Sequence, residues 1–481
     1  MKTENQITFG VVIGNRGFFP AHLCESGRKE ILAALKQAGI NFVTLGLEDT
    51  TYGSIESIED ARKCANLFAA NREKIDGILV TLPNFGDERA VANAIRWSGL
   101  SVPVLVHAFP DTSEKMTVAD RRDSFCGKIS VCNNLRQYGI RYSLTAEHVV
   151  APQNDSFQHD LETFAAICRV YKGLKSLRVG MIGARPAAFN TVRFNEVLLE
   201  NEGISVEPID LSEIIHRANQ LGSDDQIVKN KFEQIQVYWP NNAIPQEPLN
   251  RMAKLGAVID SWMAANELSA TAIQCWTAIE EIYGVVPCTL MSMMSDGLFP
   301  SACETDVPGV ISMYALGLAS QKASAIVDWN NNYNTSSSKC VGFHCSNFAK
   351  SLMVTSAEMS ESGTAAHIIP HDILSGGLGD ENTWGAIVGK LKPGPFTYCR
   401  ISTDGLEGKM RTYLGEGRVT DEQIDTWGGY GVFEIPNMQA LMHYICENGF
   451  EHHVAINPSN TSAVLREAFT KYLGWETYLH E

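Results

Sequence analysis

Features that would place the chain in a membrane, on a secretion route or among small zinc proteins are missing from its sequence. No apolar stretch is long enough to span a bilayer, so we expect no membrane partner. The first residues contain no apolar signal-peptide core, so we expect a cytoplasmic protein. The twelve cysteines are scattered and form no C-x-x-C pair, which argues against zinc-ribbon and thioredoxin folds and favours reduced, buried thiols.

Basic residues and nucleotide-binding motifs are also scarce. The chain has 39 Lys and Arg against 55 Asp and Glu, a net charge of −16, so we expect no nucleic-acid partner. An anionic small substrate would need a local cluster of arginine or lysine. No P-loop or G-x-S-x-G motif occurs, and Gly180 and Gly183 meet only part of the G-x-G-x-x-G pattern. A nicotinamide-dependent oxidoreductase is therefore a minor alternative.

Short apolar strands alternate with amphipathic helices over the first 345 residues. Residues 9–13, 77–82 and 102–106 read as buried strands with helices between them, which indicates a parallel, doubly wound sheet. A second unit of this kind begins near Leu177, with a strand at 177–182 and a long helical region at about 248–283 that is broken near residues 263–266. Ligands of such sheets bind beyond the carboxyl ends of the strands.

The pattern changes in the last third of the chain, where strands are separated by turn residues. Segments 386–388, 396–401, 409–414 and 432–435 read as strands, with turns at 404–405 and 415–417, and a helix at 438–447 capped by Asn437. The predicted fold class is therefore α/β, with two doubly wound parallel-sheet domains followed by a β-rich, antiparallel barrel-like C-terminal domain. The predicted domains are residues 1–172, 173–345 and 346–481, with metal carboxylates in the second and a metal histidine in the third.

Two carboxylates and a histidine pair form the main candidate site. Asp328 ends an apolar run, where a carboxylate is costly unless it is paired or ligated. Glu304 also fits an ordinary helix N-terminal acid. In a strand, adjacent side chains face opposite sides, so only one of His452 and His453 would serve the site, and an imidazole bonded to a carbonyl is the alternative. Two carboxylates and an imidazole suit a hard divalent ion such as Mn²⁺, and carboxylates can also move a proton.

A third histidine, His344, lies between Cys340 and Cys345. The neighbouring thiols suggest a soft metal, but their spacing matches no strong zinc pattern. His344 is therefore a weak candidate when it is taken alone.

Over essentially its whole length the chain resembles the L-fucose isomerase / L-arabinose isomerase family of metal-dependent aldose–ketose isomerases. The resemblance rests on Cys303-Glu304-Thr305-Asp306, Val327-Asp328-Trp329, Phe343-His344-Cys345-Ser346-Asn347 and His452-His453-Val454, together with segments 130–135 and 183–186. By this resemblance Glu304 and Asp328 are both metal ligands and the acid/base pair, and His453 is the terminal metal ligand, with His452 as the alternative.

The resemblance also implies substrate-binding residues. Arg16 resembles the basic residue that the N-terminal domain presents to substrate, and Gln274 and Asn347 are assigned to the pocket. His344 matches a histidine ligand of the arabinose branch that the fucose branch lacks, and we group it with the substrate-binding residues.

The implied activity converts an open-chain aldose into a ketose through an ene-diolate, with Mn²⁺ or another divalent metal. The implied assembly is a homo-oligomer, a trimer or hexamer, in which a neighbouring subunit completes the pocket. The chain is shorter than typical L-fucose isomerases, so the candidate sugars include L-fucose, D-arabinose, L-arabinose and a 6-substituted hexose such as sulfoquinovose. Arg16, Arg185 and Arg193 are the first residues to test for an anionic substituent. A non-catalytic sugar-binding protein is the main rival, since two α/β domains are also the plan of periplasmic binding proteins.

Overall fold

The computed structural model describes residues 6–240, 243–345, 347–355 and 365–481. The chain divides into two compact units. Unit 1 comprises residues 1–172 and 467–474, and unit 2 comprises residues 173–466 and 475–481. Within the described ranges, no helix is both long and apolar enough to cross a membrane.

Unit 1 is built on a five-stranded parallel sheet in the order β2-β1-β3-β4-β5. Its strands are β1 (Thr8–Ile13), β2 (Asn41–Val43), β3 (Gly77–Leu82), β4 (Val104–Ala108) and β5 (Ser143–Leu144), and its helices are α1 (His22–Gln37), α2 (Ile58–Ala70), α3 (Glu88–Ser98), α4 (Ser124–Gln137) and α5 (Asp155–Leu174). Every residue of the central β3 is buried, as expected for a sheet covered by helices on both faces. The predicted doubly wound sheet is confirmed.

Unit 2 contains a four-stranded parallel sheet in the order β7-β6-β8-β9. Its strands are β6 (Arg178–Ile182), β7 (Ser205–Ile209), β8 (Ala270–Ile273) and β9 (Ser301–Cys303), and the helices that accompany it are α6 (Glu196–Asn201), α7 (Leu211–Gln220), α8 (Gln226–Tyr238), α9 (Gln246–Ala265), α10 (Ala278–Ile282), α11 (Cys288–Asp296) and α12 (Val307–Ser320). The carboxyl ends of β6, β8 and β9 form one edge, and the chain continues from them into Gly183, Gln274 and Glu304.

The helical prediction for residues 248–283 agrees with α9, with its break near residues 263–266 and with α10, but it is wrong for the segment between the two helices. The segment Ala270–Ile273 is strand β8, paired with β6 on one side and β9 on the other. All four residues are buried, and a buried segment this short is not distinguished from a helix segment by its periodicity. Its pairing with two neighbouring strands overrides the helix preference of its alanines.

The second sheet of unit 2 has nine strands in the order β12-β13-β16-β11-β10-β17-β14-β15-β18, with a further pairing between β16 and β15. Its strands are β10 (Ala325–Asn332), β11 (Lys339–His344), β12 (His367–Pro370), β13 (Trp384–Lys390), β14 (Gly394–Asp404), β15 (Lys409–Val419), β16 (Gly429–Glu434), β17 (His453–Asn457) and β18 (Glu476–His480), with helices α13 (Asp372–Leu378), α14 (Met438–Glu447) and α15 (Ser462–Glu467). The further pairing closes β16, β11, β10, β17, β14 and β15 into an antiparallel ring. The barrel-like character predicted for this region is confirmed.

Two local predictions for this region are corrected. Gly415 and Gly417 are not in a turn, because β15 runs through both and pairs with β14. A Cβ on Gly415 would lie 2.3 Å from the Tyr398 hydroxyl, so close approach between the strands explains this glycine. Helix α14 has the predicted bounds, but Asn437 is left-handed and makes no side-chain capping bond.

The three-domain division stays a prediction. Strands β10 and β11, which precede its boundary at residue 345, share their sheet with strands that follow it.

Candidate metal centre

Three strands of the barrel and one strand of the parallel sheet bring the predicted ligands together. Asp328 on β10 lies directly opposite His453 on β17, and on its other side it lies opposite Phe343 on β11. His344 follows Phe343 at the end of β11, and Glu304 follows the last residue of β9. Residues far apart in sequence are thus fixed by strand register.

The backbone at Glu304 is unusual. Glu304 and Thr305 both adopt left-handed conformations, with φ of 62° and 54°. Such conformations cost free energy in residues other than glycine, most of all in a β-branched residue, and they cluster at functional sites. Backbone bonds from Thr305 to Ile273 (3.2 Å) and from Asp306 to Cys303 (3.0 Å) hold this turn between the parallel sheet and α12.

The side chains of the predicted ligands converge on one nitrogen atom. His453 Nε2 lies 3.4 Å from Glu304 Oε2 and 3.3 Å from Asp328 Oδ1. His452 Nε2 also lies 3.4 Å from Asp328 Oδ1, but His452 is much more exposed than His453. His344 can present a ligand atom within 4.8 Å of Glu304 and His453.

The donors fit a hard divalent cation. Glu304 Oε2 and Asp328 Oδ1 are buried and have no hydrogen-bond partner, although both face the same imidazole nitrogen. Buried carboxylate oxygens without a partner are costly, and a cation among them would remove that cost. Carboxylates with one imidazole are the donor set of an ion such as Mn²⁺. Glu304, Asp328 and His453 are therefore suited to hold it, with His344 beside them.

A buried ion pair that the sequence did not reveal orients His453. Its Nδ1 lies 2.8 Å from Asp306 Oδ2, and Arg400 donates to both oxygens of Asp306 at 2.6 and 3.1 Å. Arg400 Nε also lies 3.2 Å from Glu451 Oε2. With the Nδ1 proton donated to Asp306, the Nε2 lone pair of His453 is left for a metal.

The same contacts separate the pKa values of two neighbouring carboxyl groups. Burial raises the pKa of Glu304, and the charges of His453 and His344 only partly oppose it. Burial acts in the same direction on Asp306, but Arg400 and His453 together hold its pKa well below the usual range. Asp306 therefore stays ionised, whereas burial disfavours the charged form of Glu304 as long as no cation lies beside it.

The remaining predicted residues of unit 2 have structural contacts. Gln274 Oε1 accepts a 2.9 Å hydrogen bond from the Ala184 backbone and so links the ends of β8 and β6. Asn347 is buried, and its side-chain nitrogen donates to the Ser301 carbonyl at 3.2 Å. A substrate contact for either residue stays a prediction.

Arg16 lies in unit 1, after β1. It forms an ion pair with Glu88, donates to the Gly86 carbonyl at 3.1 Å and lies 4.1 Å above the Phe85 ring. These contacts fix the guanidinium group at the carboxyl edge of the unit 1 sheet. Its predicted contact with substrate remains untested.

A group of buried polar atoms was also missed by sequence reasoning. Both carboxyl oxygens of Glu280, Trp276 Nε1 and His371 Nδ1 are buried without a hydrogen-bond partner. The rings of Trp276 and His371 meet edge to face at 5.4 Å. Burial raises the pKa of Glu280 to about 8, and the nearby Cys345 adds to the rise. The sequence carried no signal for this group, because the strand β8 that precedes Trp276 was itself predicted as helix.

Two family profiles match the chain. The profile "Fucose/sulfoquinovose isomerase, N-terminal domain" matches residues 10–175. The profile "L-fucose isomerase, C-terminal domain" matches residues 342–480, which include β11, β17 and the histidine pair. The two matched segments make up more than half of the chain.

Curated relatives carry a common name. The sulfoquinovose isomerase of Priestia megaterium (strain ATCC 12872 / QMB1551) is 25% identical over 407 residues, 84% of this chain and 84% of that protein. The enzyme of the same name from Alkalicoccus urumqiensis is 24% identical over 399 residues, covering 82% and 83%. The one from Clostridium sp. (strain MSTE9) is 28% identical over 196 residues, only 40% of this chain and 43% of that protein.

A solved structure was also compared. An ABC transporter periplasmic solute-binding protein from Actinobacillus succinogenes 130z, solved with D-allose, aligns over 66% of this chain and 92% of its own at 11% identity. Its TM-score is 0.17, a similarity too low to bear on the fold.

Proposed function

The chain belongs to the L-fucose isomerase family and is an aldose–ketose sugar isomerase; on this premise we propose that Glu304, Asp328 and His453 hold its divalent metal ion and that the two carboxylates transfer the proton. The observation that carries the proposal is the pair of orphaned carboxylate oxygens on either side of His453 Nε2. Mn²⁺ is the ion that this oxygen-rich donor set suits.

The chemistry follows from the pKa values and positions of the side chains. A divalent ion among these ligands would polarise the aldose carbonyl and make the C2 proton more acidic. We assign the removal of that proton to Glu304, which is buried and faces His453 Nε2. We assign the return of a proton to C1 to Asp328, which lies on β10. Asp306 stays ionised and keeps the ring of His453 in one orientation.

We propose sulfoquinovose, a hexose with a sulfonate at C6, as the substrate. The proposal rests on the name shared by relatives that align over more than four fifths of the chain. A sulfonate needs a cation at the far end of the pocket. Arg185 is the candidate in unit 2, because it follows β6 at the same sheet edge as Glu304.

The sheet geometry supports Arg185. Strand β8 separates β6 from β9, and adjacent strands lie about 4.8 Å apart, so Arg185 stands two strands from Glu304. An open-chain hexose is extended enough to begin at one of these strand ends and reach toward the other. The Arg185 guanidinium donates to the Pro186 carbonyl at 3.0 Å, and among the described residues no carboxylate lies within ion-pair distance of it. Its charge is therefore available to an anionic group.

We propose that the buried polar atoms of Trp276, Glu280 and His371, which have no hydrogen-bond partner, bind sugar hydroxyls. Trp276 Nε1 is a donor, and Glu280 in its neutral form both donates and accepts. These groups differ from the acid/base pair in that none of them faces His453 Nε2. Assembly into a trimer or hexamer and a cytoplasmic location also remain proposals, carried by the family resemblance.

The substrate proposal is tested with Mn²⁺-loaded protein and four sugars: sulfoquinovose, L-fucose, D-arabinose and L-arabinose. We expect the highest kcat/KM for sulfoquinovose. Arg185→Gln should lower it 10-fold or more while leaving the slower neutral sugars unchanged, and Arg217→Gln, at an exposed arginine of α7, is the matched control. A higher kcat/KM for a neutral sugar would reassign the substrate, and isomerisation of none of the four would contradict the proposal.

A further inference from the structure

A group of buried thiols lies directly behind the candidate metal centre. Cys303 precedes Glu304, and Cys345 follows His344. The ligand atoms of Cys303, His344 and Cys345 lie within 4.8 Å of one another, and all three residues are buried. The thiols of Cys275 and Cys288 lie close enough to Cys303 to raise the pKa of its thiol.

His344 stands between these thiols and the carboxylates. Its Nδ1 lies 3.5 Å from Cys345 Sγ, and the same imidazole belongs to the group formed with Glu304 and His453. Cys345 lies just past the end of β11, where the alternation of side chains along a strand no longer applies. Adjacent residues can therefore present their ligand atoms to one point.

The spacing fits a tetrahedral ion with sulfur and nitrogen ligands. With metal–sulfur and metal–nitrogen distances of about 2.3 and 2.0 Å, a tetrahedral site separates the two donor atoms by about 3.5 Å. The separation of 3.5 Å between Cys345 Sγ and His344 Nδ1 matches that value. Thiolates with an imidazole select soft ions rather than Mn²⁺.

We propose that Cys303, Cys345 and His344 form a second metal site, which takes a soft divalent ion such as Zn²⁺ or Cd²⁺. The site is distinct from the carboxylate centre of Glu304, Asp328 and His453, and His344 lies next to both. A bound soft ion takes His344 and pulls on Cys303, the residue next to Glu304, and so weakens Mn²⁺ binding from behind. Only this last consequence rests on the proposed function.

The test measures Cd²⁺ binding to metal-free protein by the ultraviolet absorption of the thiolate–cadmium bond. The exposed Cys126 and Cys446 are first replaced by serine so that they do not contribute. We expect one equivalent of Cd²⁺ to produce the band. Cys303→Ala or Cys345→Ala should abolish it. Cys64→Ala, which removes a buried thiol of unit 1, should leave it unchanged.

The outcomes are separable. The second site is overturned if Cd²⁺ binds to the starting protein without producing a thiolate band. It is also overturned if the band survives in both Cys303→Ala and Cys345→Ala. The first result does not depend on whether any variant of the cluster folds. In support of the site, one equivalent of Cd²⁺ should also weaken Mn²⁺ binding at least 10-fold. The electron paramagnetic resonance signal of free Mn²⁺ measures this change in affinity. A thiolate band in a protein that isomerises no sugar with Mn²⁺ overturns the proposed function and leaves the site standing.

Discussion

Asp306 Oδ2 accepts a 2.8 Å hydrogen bond from Nδ1 of His453, so a fully buried carboxylate determines that Nε2 is the ring nitrogen directed at the candidate metal centre. Arg400 in turn fixes Asp306 through two hydrogen bonds. The arrangement is a carboxylate–histidine pair of the kind that commonly supports a metal ligand. Because the pKa of Asp306 is depressed when folded, its stabilisation is present above the ordinary value of 3.8 and is lost as pH falls through the folded pKa.

Replacement of Asp306 by asparagine should weaken both the fold and the metal site. The change removes one of the two carboxylates that pair with the buried Arg400 and leaves only Glu451, and breaking a buried ion pair costs about 3–5 kcal/mol. Loss of the hydrogen bond to His453 should lower Mn²⁺ affinity about 10–100-fold. Urea unfolding and Mn²⁺ titration measure the two effects. Asp224→Asn, a change of a fully exposed aspartate, is the control, and equal behaviour of the two variants would contradict the role of Asp306.

Glu304→Gln and Asp328→Asn should each abolish turnover and leave the fold intact. Each change replaces one of the two buried carboxylates whose oxygen has no hydrogen-bond partner. The metal-free variants should therefore be at least as stable as the parent protein. The stabilisation by Mn²⁺ should disappear at the same time. Thermal unfolding with and without Mn²⁺ measures this, with the exposed Glu233→Gln as the control. Retained activity would remove the residue concerned from its proposed role.

Removal of the metal should lower stability and abolish activity together. An ion that binds only the folded protein adds about 2.7 kcal/mol to the free energy of unfolding at 100 times its Kd. His453→Asn should lose this increment, whereas His452→Asn, at the more exposed of the two histidines, should keep most of it. Chelation by EDTA followed by denaturant unfolding gives the measurement. The opposite ranking of the two variants would make His452 the ligand.

Glu280 should make stability fall as pH rises. Its folded pKa of about 8 lies above the ordinary value of 4.5, so the folded state binds more protons than the unfolded state between these values. One extra proton in the folded state lowers the free energy of unfolding by about 1.4 kcal/mol for each pH unit of increase. The decrease ends once the pH passes the folded pKa. Glu280→Gln should remove this slope, and Glu281→Gln, at the exposed neighbouring residue, should keep it. Parallel slopes in all three proteins would show that Glu280 is not protonated.

Much of the fold could be predicted because its strands are apolar, short and separated by clear turns. Strand β8 could not, since four fully buried residues carry no periodicity and only their pairing with β6 and β9 defines them. The turn predicted at 415–417 failed for a related reason. A glycine required by close contact between strands looks the same in sequence as one required by a turn.

The candidate site, like the fold, could be predicted from the sequence only in part. Asp328 was a candidate because a carboxylate at the end of an apolar run needs a partner. The expectation that His452 and His453 face opposite sides does not hold, because β17 begins at His453 and both Nε2 atoms lie 3.3–3.4 Å from Asp328 Oδ1. The pairing of Asp306 with Arg400 could not be predicted, because 94 residues separate them and strand register alone brings them together. The orphaned Glu280 escaped notice because nothing in a short helix predicts complete burial.

The central claim is proton transfer by Glu304 and Asp328, and solvent deuterium reports it most directly. Mn²⁺-loaded protein and sulfoquinovose are incubated in D₂O, and proton nuclear magnetic resonance follows both the ketose and the hydrogen next to its carbonyl. We predict ketose that carries deuterium at that carbon, and no ketose after EDTA treatment or in Glu304→Gln. Ketose formed without any deuterium, or formed equally well by Glu304→Gln, would contradict the account.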